Sequence, residues 1–410
     1  MKKRIKWLAL LAVVCLLLGG CTSMDLRVQT QLVPPGLTGE QADIQAAFES
    51  YLETRGDGSA VSYRLQFPAT GEHRAAFILQ DLDGDKQEEA LVFYRTSPES
   101  NDVHMNVLCN VDDEWNSVAD IAGGSVGVQE IRFGDIFGDG TKAVFVGWSF
   151  GSQRESNLRV YRYQNAQITE CYRSLYSRLI VSPISRTDRE DILLLHLKSR
   201  SVGAATLITT EGENFRTLSS TAVDGSVIRY TDTYACINER GDTEIYADGI
   251  KETGTITELL VWNGTTLSAP LYKAVQGGTA ASFRTGTLSM LDVDKDGLME
   301  WPVLRDTVLG DVGVVDWMRW DAAIGLPVVK CSSYVCSADG YAWLWPAEEW
   351  PAETVVSYVP QTKTMTVSAS DRTPLFSVSV VEDELTIRMM PDCPLDSRTV
   401  RNQLIRLEEE

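Results

Sequence analysis

Short apolar runs broken by a recurring acidic loop constrain this chain more than any other feature. Asp81-Leu82-Asp83-Gly84-Asp85-Lys86-Gln87-Glu88-Glu89 lies between apolar runs at 75–79 and 90–94, and Asp292-Val293-Asp294-Lys295-Asp296-Gly297-Leu298-Met299-Glu300 follows a similar run at 287–291. Numbered from its first aspartate, each loop carries carboxylates at positions 1, 3, 5 and 9 and offers a backbone carbonyl at position 7. Such an oxygen cage suits a hard cation, calcium above all. The expected ligands are Asp81, Asp83, Asp85, Gln87 and Glu89 in one loop and Asp292, Asp294, Asp296, Leu298 and Glu300 in the other, Gln87 and Leu298 through their carbonyls. Carboxylates held a few Å apart repel by about 4 kcal/mol per pair at an effective dielectric of about 20, and a divalent ion would remove that penalty.

Helices on both sides and a bidentate Glu at position 12 would make an EF-hand. Position 12 is instead Val92 in one loop and Val303 in the other, and the flanks Phe77-Ile78-Leu79 and Leu91-Val92-Phe93-Tyr94 read as strands. The plainer alternative is an acidic hairpin turn with no ion, because Asp and Gly favour turns on their own.

Weaker copies recur. Asp135-Ile136-Phe137-Gly138-Asp139-Gly140-Thr141-Lys142-Ala143 keeps positions 1, 5 and 6 but has Phe137 and Ala143 at positions 3 and 9, which argues against a metal there. The segment 183–191 keeps only Asp191, and 236–244 keeps Asn238, Gly241 and Glu244, with Arg240 offering a guanidinium in place of an ion. A sixth, faint copy spans 335–343 around Asp339-Gly340. The loop starts at 81, 135, 183, 236, 292 and 335 are 54, 48, 53, 56 and 43 residues apart, the spacing of four-stranded units arranged as propeller blades. Hairpin-like pairs fill the intervals, and Asn263-Gly264 reads as a two-residue turn. The expected fold class is therefore all-β, a β-propeller of about six or seven four-stranded blades with a short N-terminal helix.

The loops at 81–89 and 292–300 resemble the calcium-loop repeats of integrin-alpha type, also called FG-GAP or VCBS-like repeats, found in many bacterial surface lipoproteins. The resemblance covers roughly residues 60–345 and departs from the pattern at Lys86, where glycine is usual. It implies a propeller and calcium in the two intact loops; it implies no single activity.

The N-terminus has its own logic. Lys2, Lys3, Arg4 and Lys6 precede an apolar run at 7–18, the parts of a secretory signal too short to span a bilayer with its flanks. Leu18-Gly19-Gly20-Cys21 is similar to a bacterial lipobox, which implies a signal peptide at 1–20, cleavage before Cys21 and acylation, palmitate included, of Cys21. The lipidated residue and a tether would occupy 21–37 and an amphipathic helix 38–55, opened by Thr38 and Gln41 and carrying the apolar stripe Ile44, Ala47, Phe48, Tyr51 and Leu52. Propeller repeats would fill 56–350, and 351–410 would hold final strands or a β-appendage, with a surface helix from Asp396.

Charge and composition narrow the partners. Loss of the four leader cations would deepen the net charge from −20 to −24, which disfavours nucleic acid. His73, His104 and His196 stand far apart with no zinc spacing. There is no nucleophile elbow, phosphate loop or dinucleotide fingerprint. Aromatic residues gather late in the chain, and Trp317 and Trp320 are candidates for stacking on a sugar or peptide. The expectation is a non-enzymatic, membrane-anchored, extracytoplasmic calcium-binding module at the cell envelope, held to lipid through Cys21 and binding an envelope glycan, peptide or protein. The alternative is a carbohydrate-active hydrolase using paired carboxylates.

Overall fold

The computed structural model describes residues 39–55, 62–96, 102–151, 154–197, 203–252, 254–271, 283–284, 290, 292–293, 296–309, 312–338, 341–343, 355–359, 361–362, 364–369, 371–381, 384–391, 393, 397 and 404–406. One long helix, α1 (Glu40–Arg55), precedes the strands. Gly39, at φ 64°, turns the chain into it and its carbonyl accepts from the amides of Ala42 and Asp43. Thr38, the expected start, lies outside the described residues, as do the leader and Cys21.

The strands form six antiparallel sheets among the described residues, each built mainly from consecutive hairpins. The first holds β1 (Arg64–Leu65), β2 (Phe77–Gln80), β3 (Glu89–Arg95), β4 (His104–Val111) and β5 (Glu114–Ala122), with β1 and β2 both paired to β3. The second holds β6 (Gly127–Gly134), β7 (Ala143–Ser149), β8 (Ser156–Gln164) and β9 (Gln167–Tyr176). The third holds β10 (Arg178–Ser182), β11 (Asp191–His196), β12 (Gly203–Glu211) and β13 (Asn214–Val223). The fourth holds β14 (Arg229–Ile237), β15 (Thr243–Lys251), β16 (Gly254–Trp262), β17 (Leu267–Ser268) and β18 (Phe283–Arg284). The fifth holds β19 (Trp301–Leu309), β20 (Val312–Asp321), β21 (Leu326–Ala338) and β22 (Tyr341–Trp343), and the sixth β23 (Val355–Val359), β24 (Thr364–Ser368), β25 (Pro374–Val381) and β26 (Glu384–Met389). The last strand, β27 (Leu404–Arg406), returns to pair with β22 in the fifth sheet.

Both faces of the inner strands are apolar, as a sheet covered on two sides requires. On β3, Leu91 and Phe93 meet Val144, Val146 and Trp148 of the second sheet, while Ala90, Val92 and Tyr94 on the other face meet Ile44, Phe48 and Leu52 of α1. On β11, Ile192 and Leu194 pack toward the second sheet and Leu193 and Leu195 toward the fourth. On β15, Ile245 and Ala247 face back while Tyr246 faces Trp301 of the fifth sheet. The first five sheets therefore stack face to face in chain order, and side-chain alternation alone sets which neighbour each residue meets. The outer face of the first sheet is closed by α1, where Arg55 and Tyr94 converge on the carboxylate of Asp120 beside His104.

Three local expectations are corrected. The segment 335–343 does not open a new sheet: Val335 and Cys336 lie in β21, and Tyr341–Trp343 form β22, which pairs with β21 in the same sheet. The C-terminal segment expected as a surface helix is corrected in part: Ser397 is helical, but Leu404–Arg406 form β27 and complete the edge left by Tyr341–Trp343. The Asn263-Gly264 turn spans four residues, from Trp262 paired with Leu267, since Asn263 Oδ1 accepts from the amides of Thr265 and Thr266 and holds a wider Asx turn.

The buried acid Glu258 contributes to a pH dependence. Glu258 on β16 accepts from the amide of Asp224 at 2.7 Å, and Asp224 binds Lys251 at 2.8 Å. Burial pushes the Glu258 carboxyl up from 4.5 to about 7. Between those values the folded chain keeps a proton that the unfolded chain has released, so stability falls as pH rises through the window and is level above it. Glu258→Gln is expected to lessen that slope, to which Glu89, raised to about 7 as well, also contributes, and to raise stability at pH 8 by about 3 kcal/mol, since each pH unit crossed in that window costs about 1.4 kcal/mol. Urea unfolding at pH 5 and pH 8 measures it; a parent protein as stable at pH 8 as at pH 5 would show that Glu258 ionises freely.

Candidate cation-binding rim

The first four repeated loops join the first long strand of a sheet to the second, the fifth leads into β19, and the first four hydrogen-bond to one another. The Lys142 amide donates to the Leu82 carbonyl at 2.7 Å, the Glu190 amide to the Asp135 carbonyl at 2.9 Å, and the Thr243 hydroxyl to the Ile184 carbonyl at 2.9 Å. In each case position 8 of one loop binds position 1 or 2 of the loop before it. Position 2 is also an apolar plug: Leu82, Ile136 and Ile184 are fully buried. The first four loops therefore form one continuous rim.

Inside the first loop the carboxylates organise the backbone. Asp81 accepts from the amides of Gly84 and Lys86 at 2.7 and 3.0 Å, Asp85 from that of Gln87 at 2.7 Å, and the buried Glu89 from that of Leu82 at 2.9 Å. Lys86 adopts φ 75°, the left-handed conformation that Gly140, Gly241 and Gly297 take at the same position. The same bonds recur around Asp135, whose oxygens take the amides of Gly138 and Gly140, whereas Asp292 takes those of Asp296 and Gly297, positions 5 and 6. Asp294 lies outside the described residues.

The loops differ in charge. Asp81, Asp83 and Glu89 each bring a carboxylate oxygen within 4.8 Å of the others. Burial pushes the Glu89 carboxyl up to about 7, and the charges of Asp83, Asp85 and Asp81 add to that rise against the Leu82 amide. Asp83 is raised as well, by burial and by Asp85 and Asp81. In the second loop Asp139 is paired with Arg162, whose guanidinium also lies 4.1 Å from the centroid of Phe137. Burial raises Asp139, yet hydrogen bonds from Thr141 and the charge of Arg162 outweigh it and leave the carboxyl below its ordinary value. In the fifth sheet Arg319 pairs with Asp296 and stands 3.6 Å from Glu300.

The set Asp81, Asp83 and Glu89 thus fits a divalent cation: acidic oxygens converge, and among the described residues no Lys or Arg ion pair involves them. Arg240, expected to reach into the fourth loop, is exposed; its amide caps Asn238, while Asn238 and Tyr246 donate to Glu244 at 2.7 and 2.5 Å. Arg162 and Arg319 escaped the sequence reading because they come from strands, and only the strand register brings them to the loops.

Between the fourth loop and β20 lies a cleft of about 330 Å³ lined in part by Asn238, Arg240, Glu244, Arg319, Trp320 and Lys330. Trp320 borders it, whereas Trp317 is fully buried and offers no ring face to a ligand. Three residues apart on one strand, the two rings point to opposite faces. Two carboxylates of the cleft serve the fold: Glu244 as above, and Asp321, which accepts from the amide of Ala323 at 2.7 Å.

No family model matches the chain, and no curated protein matches it. Solved structures do. Rhamnogalacturonan lyase YesW is 11% identical over 78% of this chain, with a TM-score of 0.34, and the chain spans 58% of its length. A rhamnogalacturonan lyase of Bacillus licheniformis is 13% identical over 82% of this chain and 73% of its own, with a TM-score of 0.32. A protein of Lactobacillus plantarum is 8% identical over 76% of this chain and 82% of its own, with a TM-score of 0.31. Likeness this loose assigns the chain neither a fold nor a reaction.

Proposed function

We propose that the chain is a lipid-anchored, extracytoplasmic scaffold or binding module of the cell envelope, its rim braced by calcium held at Asp81, Asp83 and Glu89. The observation that carries the reading is the convergence of those three carboxylates in a loop with no internal counter-ion. Asp85 and the Gln87 carbonyl would complete the oxygen set. A bound ion would hold the turn that presents the Leu82 carbonyl to Lys142, and so would fix the first sheet against the second. The leader and Cys21 supply the anchor, and α1 carries the tether onto the outer face of the first sheet.

The finer architecture belongs to the same proposal. Five sheets that stack face to face in chain order, each with a copy of the loop leading into one of its first strands, and a sixth sheet after them support a propeller-type arrangement of six blades. In it α1 would lie at the seam between the first sheet and the last.

Calcium titration of the full chain by calorimetry tests the metal: one or more equivalents are expected, with binding at the first loop lost in Glu89→Gln. A Cys21→Ser variant is expected to leave the membrane fraction and to incorporate no labelled palmitate. An unaltered calcium isotherm in Glu89→Gln would overturn the metal site, and a membrane-bound, unlabelled parent would overturn the lipid anchor.

A further inference from the structure

We propose that, in a rim loop with an aspartate at position 5, the residue facing position 9 across the hairpin decides whether the loop takes a metal ion or is neutralised by the chain itself; Asp85, Asp139 and Asp296 are those aspartates. Arg162 and Arg319 then stand in for the ion, and the chain holds a single calcium, in the loop at 81–89. This rests on the calcium reading of that loop and deepens it by fixing where metal is excluded.

Strand register fixes which residue faces position 9. Ala90 pairs with Leu108, which sets Cys109 opposite Glu89. Val144 pairs with Tyr161, which sets Arg162 opposite Ala143. Ile192 pairs with Ile208, which sets Thr209 opposite Asp191; Glu244 pairs directly with Val261; and Trp301 pairs with Met318, which sets Arg319 opposite Glu300. One structural position therefore reads Cys, Arg, Thr, Val, Arg along the rim. In both sheets where it is arginine, the guanidinium runs along the strand end and meets the position-5 aspartate, Asp139 in one and Asp296 in the other. Both arginine side chains are mostly buried, 13% and 11% exposed, so they lie within the loops and are held there.

Two sister loops thus hold a positive charge beside the position-5 carboxylate, and the chain supplies it. In the first loop the equivalent residue is the buried, uncharged Cys109, too short to reach Asp85 and carrying no cation. The acids at 81–89 are left for an ion from solution. The fifth loop looked equally fit for calcium because its acids are the same; Arg319 lies nineteen residues beyond Glu300 in sequence, and only the β19–β20 hairpin places it there. A guanidinium with five fixed donors binds carboxylates at two points and does not deprotonate, so calcium would have to displace it.

The test counts ions by calcium calorimetry on the full chain, with circular dichroism confirming that each variant is folded. Arg319→Met is expected to bind one more equivalent than the parent, through acids that include Asp292, Asp296 and Glu300, and Arg319→Lys to match the parent. Cys109→Arg is expected to lose the first-loop ion. A parent that binds two ions, or a folded Arg319→Met with the parent's stoichiometry, would overturn the proposal. A parent that binds none while Arg319→Met binds one would instead remove calcium from the first loop and leave the role of Arg319 standing. Should Arg319→Met not fold, Cys109→Arg decides, and retention of its ion counts against the assignment.

Discussion

Phe48→Ala is expected to lower the unfolding free energy by about 3 to 5 kcal/mol, the range for deleting a buried phenylalanine from a packed core. Phe48 is fully buried, and its ring meets Tyr94 edge-on at 4.9 Å and Tyr63 edge-on at 5.2 Å. It is the central residue of the α1 stripe, between Ile44 and Leu52, so truncation leaves a cavity that the helix can close only by sliding along the first sheet. A shift in α1 would also draw Arg55 from Asp120 and expose Ala90, Val92 and Tyr94 on β3. Urea unfolding followed by far-ultraviolet dichroism measures the loss, and protease cleavage near 55–62 should quicken with it. A loss below about 1 kcal/mol, the scale of an exposed substitution, would mean that α1 does not cover the sheet in solution.

The helix was legible because a five-residue stripe at i, i+3, i+4, i+7 and i+8 has one reading, and the strands were legible because 91–94 and 144–146 are rich in β-branched and aromatic residues beside Asp/Gly loops and 192–195 is a short continuous apolar run. What was not legible is long-range pairing. Tyr341–Trp343 and Leu404–Arg406 are separated by about sixty residues, and no local pattern distinguishes a terminal strand from a terminal helix when both are short and charged. The faint loop at 335–343 failed for a related reason: Asp-Gly suits a hairpin between any two strands, and here it follows the long strand β21.

At the rim the limits are similar. The acids at positions 1, 3, 5 and 9 were read from residue type and spacing, and those at 1, 3 and 9, Asp81, Asp83 and Glu89, do converge. Acids at the same positions 1, 3, 5 and 9 made 81–89 and 292–300 look equivalent, yet their counter-charges differ, because Cys109 and Arg319 occupy one register position. Trp317 and Trp320 were grouped by closeness in sequence, although an odd separation on a strand divides them between two faces, and Trp317 went into the core beside Trp320 at the cleft.

Calcium at about a thousand times its dissociation constant is expected to stabilise the folded chain by about 4 kcal/mol. If the sheets unfold together, an unfolding entropy of about 2.1 cal/mol/K per residue converts this to a rise in Tm of roughly 5 °C. Asp83→Asn separates that effect from the behaviour of a bare acidic turn. Asparagine keeps an oxygen for the Asp85 amide, which Asp83 accepts at 3.3 Å, and removes one charge from a group of crowded carboxylates. With chelator present the variant should therefore melt at or above the parent, since less repulsion is stored in its loop. With calcium present the order should invert, because the parent gains the ion and the variant loses a charged ligand. A turn that never binds metal predicts the variant at or above the parent under both conditions. Differential scanning calorimetry in chelator and in millimolar calcium distinguishes the two cases: without an inversion of order, calcium has no structural role at 81–89.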